Sequence, residues 1–141
     1  MDIRPLTPTY AVSPQIEPTD IYAIREAGFT TIICNRPDME VPPAVQSDAI
    51  RTAAEAAGLE FKDLPVTHQT LTPEIIAEQK RILDGSSGPV LAYCASGTRS
   101  SILWSLGQAG ERPADEIIAA TAQAGYDLAG LRPQIEQLAK S

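Results

Sequence analysis

The sequence predicts an α/β domain with a mostly parallel central sheet flanked by helices, and three observations predict it. Strand-like and helix-like segments alternate along all 141 residues, with no internal repeat and no low-complexity linker. The runs "FTTIIC" (29–34) and "PVLAY" (89–93) are short and continuously apolar, as strands buried on both faces of a parallel sheet are. The resulting order, β-α-β-α-β-α-β-loop-α-α-α, is that of crossover-connected parallel strands. With 43% hydrophobic residues the chain can bury one core, so residues 1–141 read as a single domain.

Each element has a local reason. Residues 11–16 form an opening strand, and Pro18-Thr19-Asp20 starts a helix that runs to Ala27 and stops at Gly28. The strand "FTTIIC" ends in "NRPDMEVPP" (35–43), whose prolines and charges continue neither strand nor helix. An Ala-rich helix over 45–57 closes on Gly58 and leads to the strand "LEFKDLPV" (59–66). After the loop Thr67-His68-Gln69-Thr70-Leu71, the sequence Thr72-Pro73-Glu74 opens a helix that ends near Gly85. "PVLAY" places Cys94 at its C-terminal end, "CASGT" turns into a helix over 99–108, and two helices follow. Ile102, Leu103 and Leu106, with Trp104, pack that helix on the sheet, and Leu131, Ile135 and Leu138 form a second core-facing stripe. Tyr126 and Asp127, in a turn after Gly125, read as structural.

Charge narrows the function. A formal net charge of -7 without a basic run disfavours nucleic acid and anionic membranes as partners. No apolar span of membrane length and no signal-peptide pattern is present, so a cytoplasmic protein is expected. Two cysteines with no CxxC and no Cys/His cluster predict reduced thiols, no metal site and no cofactor.

The segment "AYCASGTRSS" (92–101) carries the chemistry. Between a strand end and a helix N-terminus, the small residues Ala95, Ser96, Gly97 and Thr98 let backbone N–H groups face an anion, and the helix dipole adds positive potential. The same field favours a thiolate at Cys94, the candidate nucleophile. Arg99 can hold two anion oxygens in its planar fork, and Ser100 can hydrogen-bond the Cys94 sulfur. Arg36 and Asp38 follow "FTTIIC" on the same rim as Cys94, together with Glu40. Arg36 is an accessory anion ligand there and Asp38 a partner to fix Arg99.

The loop resembles those of cysteine-dependent phosphatases and rhodanese sulfurtransferases. Through "EAGFTTIICNRPDMEVPP", "AAEAAGLEFKDLPV" with "LTPE", and "GPVLAYCASGTRS", nearly the whole chain is similar to the DUF442 family, the phosphatase-like domain of β-lactamase-hydrolase-like proteins. Some members of that family are named sulfur transferases. The resemblance implies a dual-specificity-phosphatase-like α/β fold. Phosphatases of this type place five residues between Cys and Arg and usually a His before the Cys. Here four intervene and Tyr93 precedes, as in a rhodanese loop, although the rhodanese Asp-x-Arg strand and Gly-His-Ile segment are absent.

Phosphoester cleavage also calls for a positioned acid, usually an Asp in the loop that here reads "THQTL", whereas sulfite or a thiolate leaves unprotonated. His68 is the accessory acid or substrate-orienting group there. The sequence therefore favours sulfane sulfur transfer from thiosulfate or a low-molecular-weight persulfide, through a Cys94 persulfide, to a thiol acceptor. The alternative is a cysteine phosphatase working through a phosphocysteine, and the second alternative a non-catalytic anion- or persulfide-sensing module. In each the ligand is a small anion. Cys34 ends its strand as Cys94 ends "PVLAY", and some related phosphatases protect their nucleophile by a disulfide from such a position. Cys34 is accordingly the candidate redox partner if the Cα atoms lie within about 4.4–6.8 Å.

Overall fold

The computed structural model describes residues 1–140 and contains five strands: β1 (Arg4–Thr7), β2 (Tyr10–Ser13), β3 (Thr31–Cys34), β4 (Glu60–Asp63) and β5 (Val90–Tyr93). Their order across the sheet is β1-β2-β5-β3-β4, with every pair parallel except β1 with β2. The expected α/β architecture is present. The edge strand β1 is an addition to the reading of the sequence. Its "RPLT" contains a proline, which is tolerated only because β1 is an edge, and a register irregularity between Pro5 and Thr7 bends it.

Six α-helices connect and cover the sheet: α1 (Ile21–Glu26), α2 (Ser47–Ala56), α3 (Pro73–Gly85), α4 (Thr98–Gly107), α5 (Ala114–Gln123) and α6 (Arg132–Ala139). The connections β2-α1-β3 and β3-α2-β4 run across the sheet in one direction, and β4-α3-β5 runs back. Right-handed crossovers then put α1 and α2 on one face and α3 on the other. The cores follow this division. Ile21, Ile24, Ile50 and Ala54 pack on Ile32, Leu91 and Tyr93, while Ile102, Trp104, Ile117 and Ile135 pack on Val12, Ile33 and Ala92.

The reversal of direction after β4 brings the chain back to the centre of the sheet, between β2 and β3, and the C-terminal end of β5 opens there. Ligands of parallel α/β sheets bind at such switch points. The helix that starts there, α4, is buried from Arg99 to Leu106. Its serines satisfy themselves inside the core: Ser101 Oγ donates to the Gly97 carbonyl and Ser105 Oγ to that of Ser101, both at 2.8 Å. Among the described residues, no helix is long and apolar enough to cross a membrane.

Candidate active site

Cys94 follows β5 and is buried at the base of the loop that enters α4. The Gly97 N–H donates to its sulfur at 3.2 Å. Gly97 is needed for two reasons. Its φ of +94° lies in the left-handed region, and a Cβ there would stand 2.2 Å from Tyr126 Oη. That hydroxyl donates to the Ser96 carbonyl at 2.9 Å, so Tyr126 braces the loop from beneath. No side chain caps α4. Among the described residues, the N–H groups of Ala95, Ser96 and Arg99 find no acceptor in the chain and are left for a ligand. Ser96 Oγ accepts the Thr98 N–H at 3.3 Å and lies 2.9 Å from Thr98 Oγ1.

Arg99 is held from outside the loop. Its Nη1 donates to Glu40 Oε2 and to the Val66 carbonyl, both at 2.9 Å, and its Nη2 donates to Glu40 Oε1 at 2.8 Å. A guanidinium has five N–H donors in one plane. These contacts use the end-on fork and leave the side-on pair, Nε–H and the second Nη2 N–H, for two oxygens of an anion. The Glu40 carboxylate, and after it the nearby Cys94, favours the charged form of Arg99. Arg99 in turn, with Arg36 behind it, holds the Glu40 carboxyl below the usual carboxylate range. Asp38, the expected partner of Arg99, instead accepts from Ser47 N at 2.8 Å and Ser47 Oγ at 3.3 Å, at the start of α2. Arg36 lies one step back from an anion, donating to Glu40 Oε1 at 3.1 Å and Gln15 Oε1 at 3.3 Å. One residue separates Asp38 from Glu40, and the short helical turn that holds them both decides which carboxylate reaches inward.

Ser100 is likewise placed differently from the expectation. Its hydroxyl donates to Asn35 Oδ1 at 2.8 Å rather than to the Cys94 sulfur. Asn35 and Gln79 exchange amide hydrogen bonds at 3.0 and 3.2 Å, Gln79 Nε2 also donates to Tyr10 Oη at 3.1 Å, and Tyr10 Oη donates to the Ser100 carbonyl at 2.9 Å. This buried network ties β2, β3 and α3 to the first turn of α4. A signal for it stood in the sequence: Gln79 interrupts the apolar stripe of Ile75, Ile76, Ile82 and Leu83. Asn35 gave a weaker one, as the polar residue directly after "FTTIIC".

The strands that lead to Cys34 and Cys94 are neighbours, the condition that a redox pairing of the two thiols requires. Cys34 is in register with Tyr93, so its side chain leaves on the α1–α2 face while Cys94, one residue on, leaves on the other. Both thiols are free. Cys34 Sγ donates to the Arg36 carbonyl at 3.3 Å, and burial pushes its pKa up to about 11. Above the loop, Glu40, Thr67, His68, Ser96, Thr98 and Arg99 border an open cleft of about 420 Å³. No group of metal-ligating side chains forms among the described residues.

A strand-end cysteine, a loop with free N–H groups and an arginine held on the following helix therefore meet at the C-terminal end of β5. Residues 2–111 match the family described as beta-lactamase hydrolase-like protein, phosphatase-like domain. The chain belongs to this family. A beta-lactamase hydrolase-like protein of Xylella fastidiosa is 32% identical over 130 residues, covering 91% of this chain and 30% of that protein. The phosphatase-like domain described here thus spans about a third or less of the length of the curated relatives it matches. Among solved structures, a candidate phosphatase of Neisseria meningitidis is 35% identical with a TM-score of 0.86, over 98% of this chain and 99% of that one. The catalytic core of the PP-IP phosphatase SIW14 from S. cerevisiae has a TM-score of 0.72 at 14% identity, over 96% of this chain and 84% of that one, which shows a shared fold. The DUF442-type assignment and the cysteine-phosphatase fold therefore both hold for the phosphatase-like domain.

Proposed function

We propose that the phosphatase-like domain is a cysteine-dependent phosphatase. The observation that carries this reading is the free side-on edge of Arg99 beside Cys94, with Glu40 occupying the other edge. The family match and the phosphatase-type scaffold also support it, and they move phosphoryl transfer ahead of the sulfur transfer that the sequence favours. In this mechanism two phosphoryl oxygens take the Arg99 Nε–H and Nη2 N–H, and loop N–H groups take the third. Cys94 Sγ attacks phosphorus, the S–P bond forms, and the P–O bond breaks with its electron pair leaving on the oxygen. Water then attacks the phosphocysteine, releasing phosphate and restoring the thiolate.

Sulfane sulfur transfer through a Cys94 persulfide is the second reading. The four-residue loop and the absence of a carboxylate in Thr67–Leu71 favour it. One experiment separates the two. The purified protein is incubated separately with 4-nitrophenyl phosphate, thiosulfate and glutathione persulfide, acid-quenched and weighed intact. A phosphoryl adduct on Cys94 with phosphate release is expected. A gain of one sulfur, with no phosphoryl adduct, would replace the first reading with the second. No adduct and no turnover would leave only an anion-sensing module.

A further inference from the structure

Cleavage of an unactivated phosphoester requires a proton donor within a hydrogen bond of the leaving oxygen, directly or through one water. The carboxylates around the end of β5 are placed where they cannot serve. Glu40 is gripped by Arg99 and Arg36, which keep it ionised. Asp38 is turned to Ser47 at the start of α2. Asp63 is in register with Cys34, so it leaves the sheet on the face opposite to Cys94. The segment Thr67–Leu71, which passes over the cleft, contains no carboxylate.

Two phenols near Cys94 are engaged, Tyr126 Oη donating to the Ser96 carbonyl and Tyr10 Oη to the Ser100 carbonyl. The Tyr93 hydroxyl has no hydrogen-bond partner among the described residues, but Tyr93 packs in the core on the α1–α2 side with Cys34. His68 borders the cleft but is exposed, and no hydrogen bond from the described residues orients it. Among the described residues, the anion grip is therefore in place while the leaving-group side carries no positioned acid.

We propose that this site acts on phosphoryl groups whose leaving group departs as a stable anion, namely acyl phosphates, phosphoanhydrides and aryl phosphates, and discriminates against alkyl phosphates. The inference rests on the phosphatase reading and names its substrate class. With such substrates the electron pair of the breaking P–O bond stays on a carboxylate, phosphate or phenolate oxygen and no proton is transferred. An alkoxide would have to leave unprotonated, and that step is what the site does not assist.

The test is the dependence of kcat/KM on leaving-group pKa, measured with a series of substituted phenyl phosphates, acetyl phosphate, pyrophosphate and phosphoserine, with phosphocysteine followed by intact mass. A steep fall of kcat/KM with rising leaving-group pKa is expected. Phosphoserine should lie below the activated substrates by a further factor of about 10²–10⁴, the contribution a positioned acid would have made. A shallow dependence with comparable turnover of phosphoserine would overturn the inference while leaving the phosphatase reading intact. If that shallow dependence steepens in His68→Gln, His68 is the acid. Absence of phosphocysteine and of phosphate release with every substrate would instead overturn the phosphatase reading itself.

Discussion

At the scale of single residues, the site depends on how Cys94 and Arg99 are held. Cys94→Ser is expected to abolish turnover with an unchanged circular dichroism spectrum, because a hydroxyl is a far weaker acid and nucleophile than a thiol. Residual turnover comparable to the parent would remove Cys94 from the mechanism. Glu40 presents two opposing effects. Replacing it with Gln removes a negative charge from an anion site, which would help binding, but it also releases the fork that aims Arg99. Misplacement by about 1 Å costs on the order of 10²-fold in rate, so the second effect wins. Glu40→Gln should therefore lower kcat by about 10–100-fold with a smaller change in KM. An unchanged kcat would show that Val66 alone positions the guanidinium.

At the scale of elements, the junction of β5 with α4 is a loop braced from behind by the turn before α6. Gly97→Ala forces a side chain into a left-handed backbone conformation that costs about 1–2 kcal/mol, and it also drives a Cβ into Tyr126. Tyr126→Phe removes only the bond to Ser96, worth about 1 kcal/mol. Because one change makes a clash and the other removes the clashing atom, the double variant should lose less stability than the sum of the two. Urea midpoints of the four proteins measure this coupling, and strict additivity would mean that Tyr126 swings clear. Helix α4 itself is buried on all sides, so Leu103→Ala should cost about 2–5 kcal/mol.

For the whole molecule, the Glu40–Arg99 pair links folding to acid. The Glu40 carboxyl is held below its unfolded value, chiefly by the Arg99 hydrogen bonds. Its contribution to stability is therefore complete above the unfolded Glu pKa and is lost as pH falls through the lower folded pKa. The stability gap between the parent and Glu40→Gln should be largest near pH 7 and close towards pH 3. A gap independent of pH would mean that the pair contributes packing rather than charge. The pairing also joins segments 59 residues apart, so it closes the loop after β3 over the α4 N-terminus only when the sheet has formed.

The sequence by itself determined what neighbouring residues decide. The apolar runs of β3 and β5, the Thr72-Pro73 start of α3 and the order Cys94–loop–Arg99 are local patterns, and each reappears at its expected place. Even the missed strand β1 is a local matter, since a four-residue edge containing Pro5 gives too little alternation to read. The tertiary structure alone decided which groups meet. Strand register and the alternation of the pleat put Cys34 and Cys94 on opposite faces, because a shift of one residue reverses the side from which a side chain leaves the sheet. The same long-range geometry chose Glu40 over Asp38 for Arg99, gave Ser100 to Asn35, and brought Tyr126 under Ser96. These partners lie 30 to 65 residues apart in the chain, except for Asp38 and Ser47, and no local spacing encodes such distances.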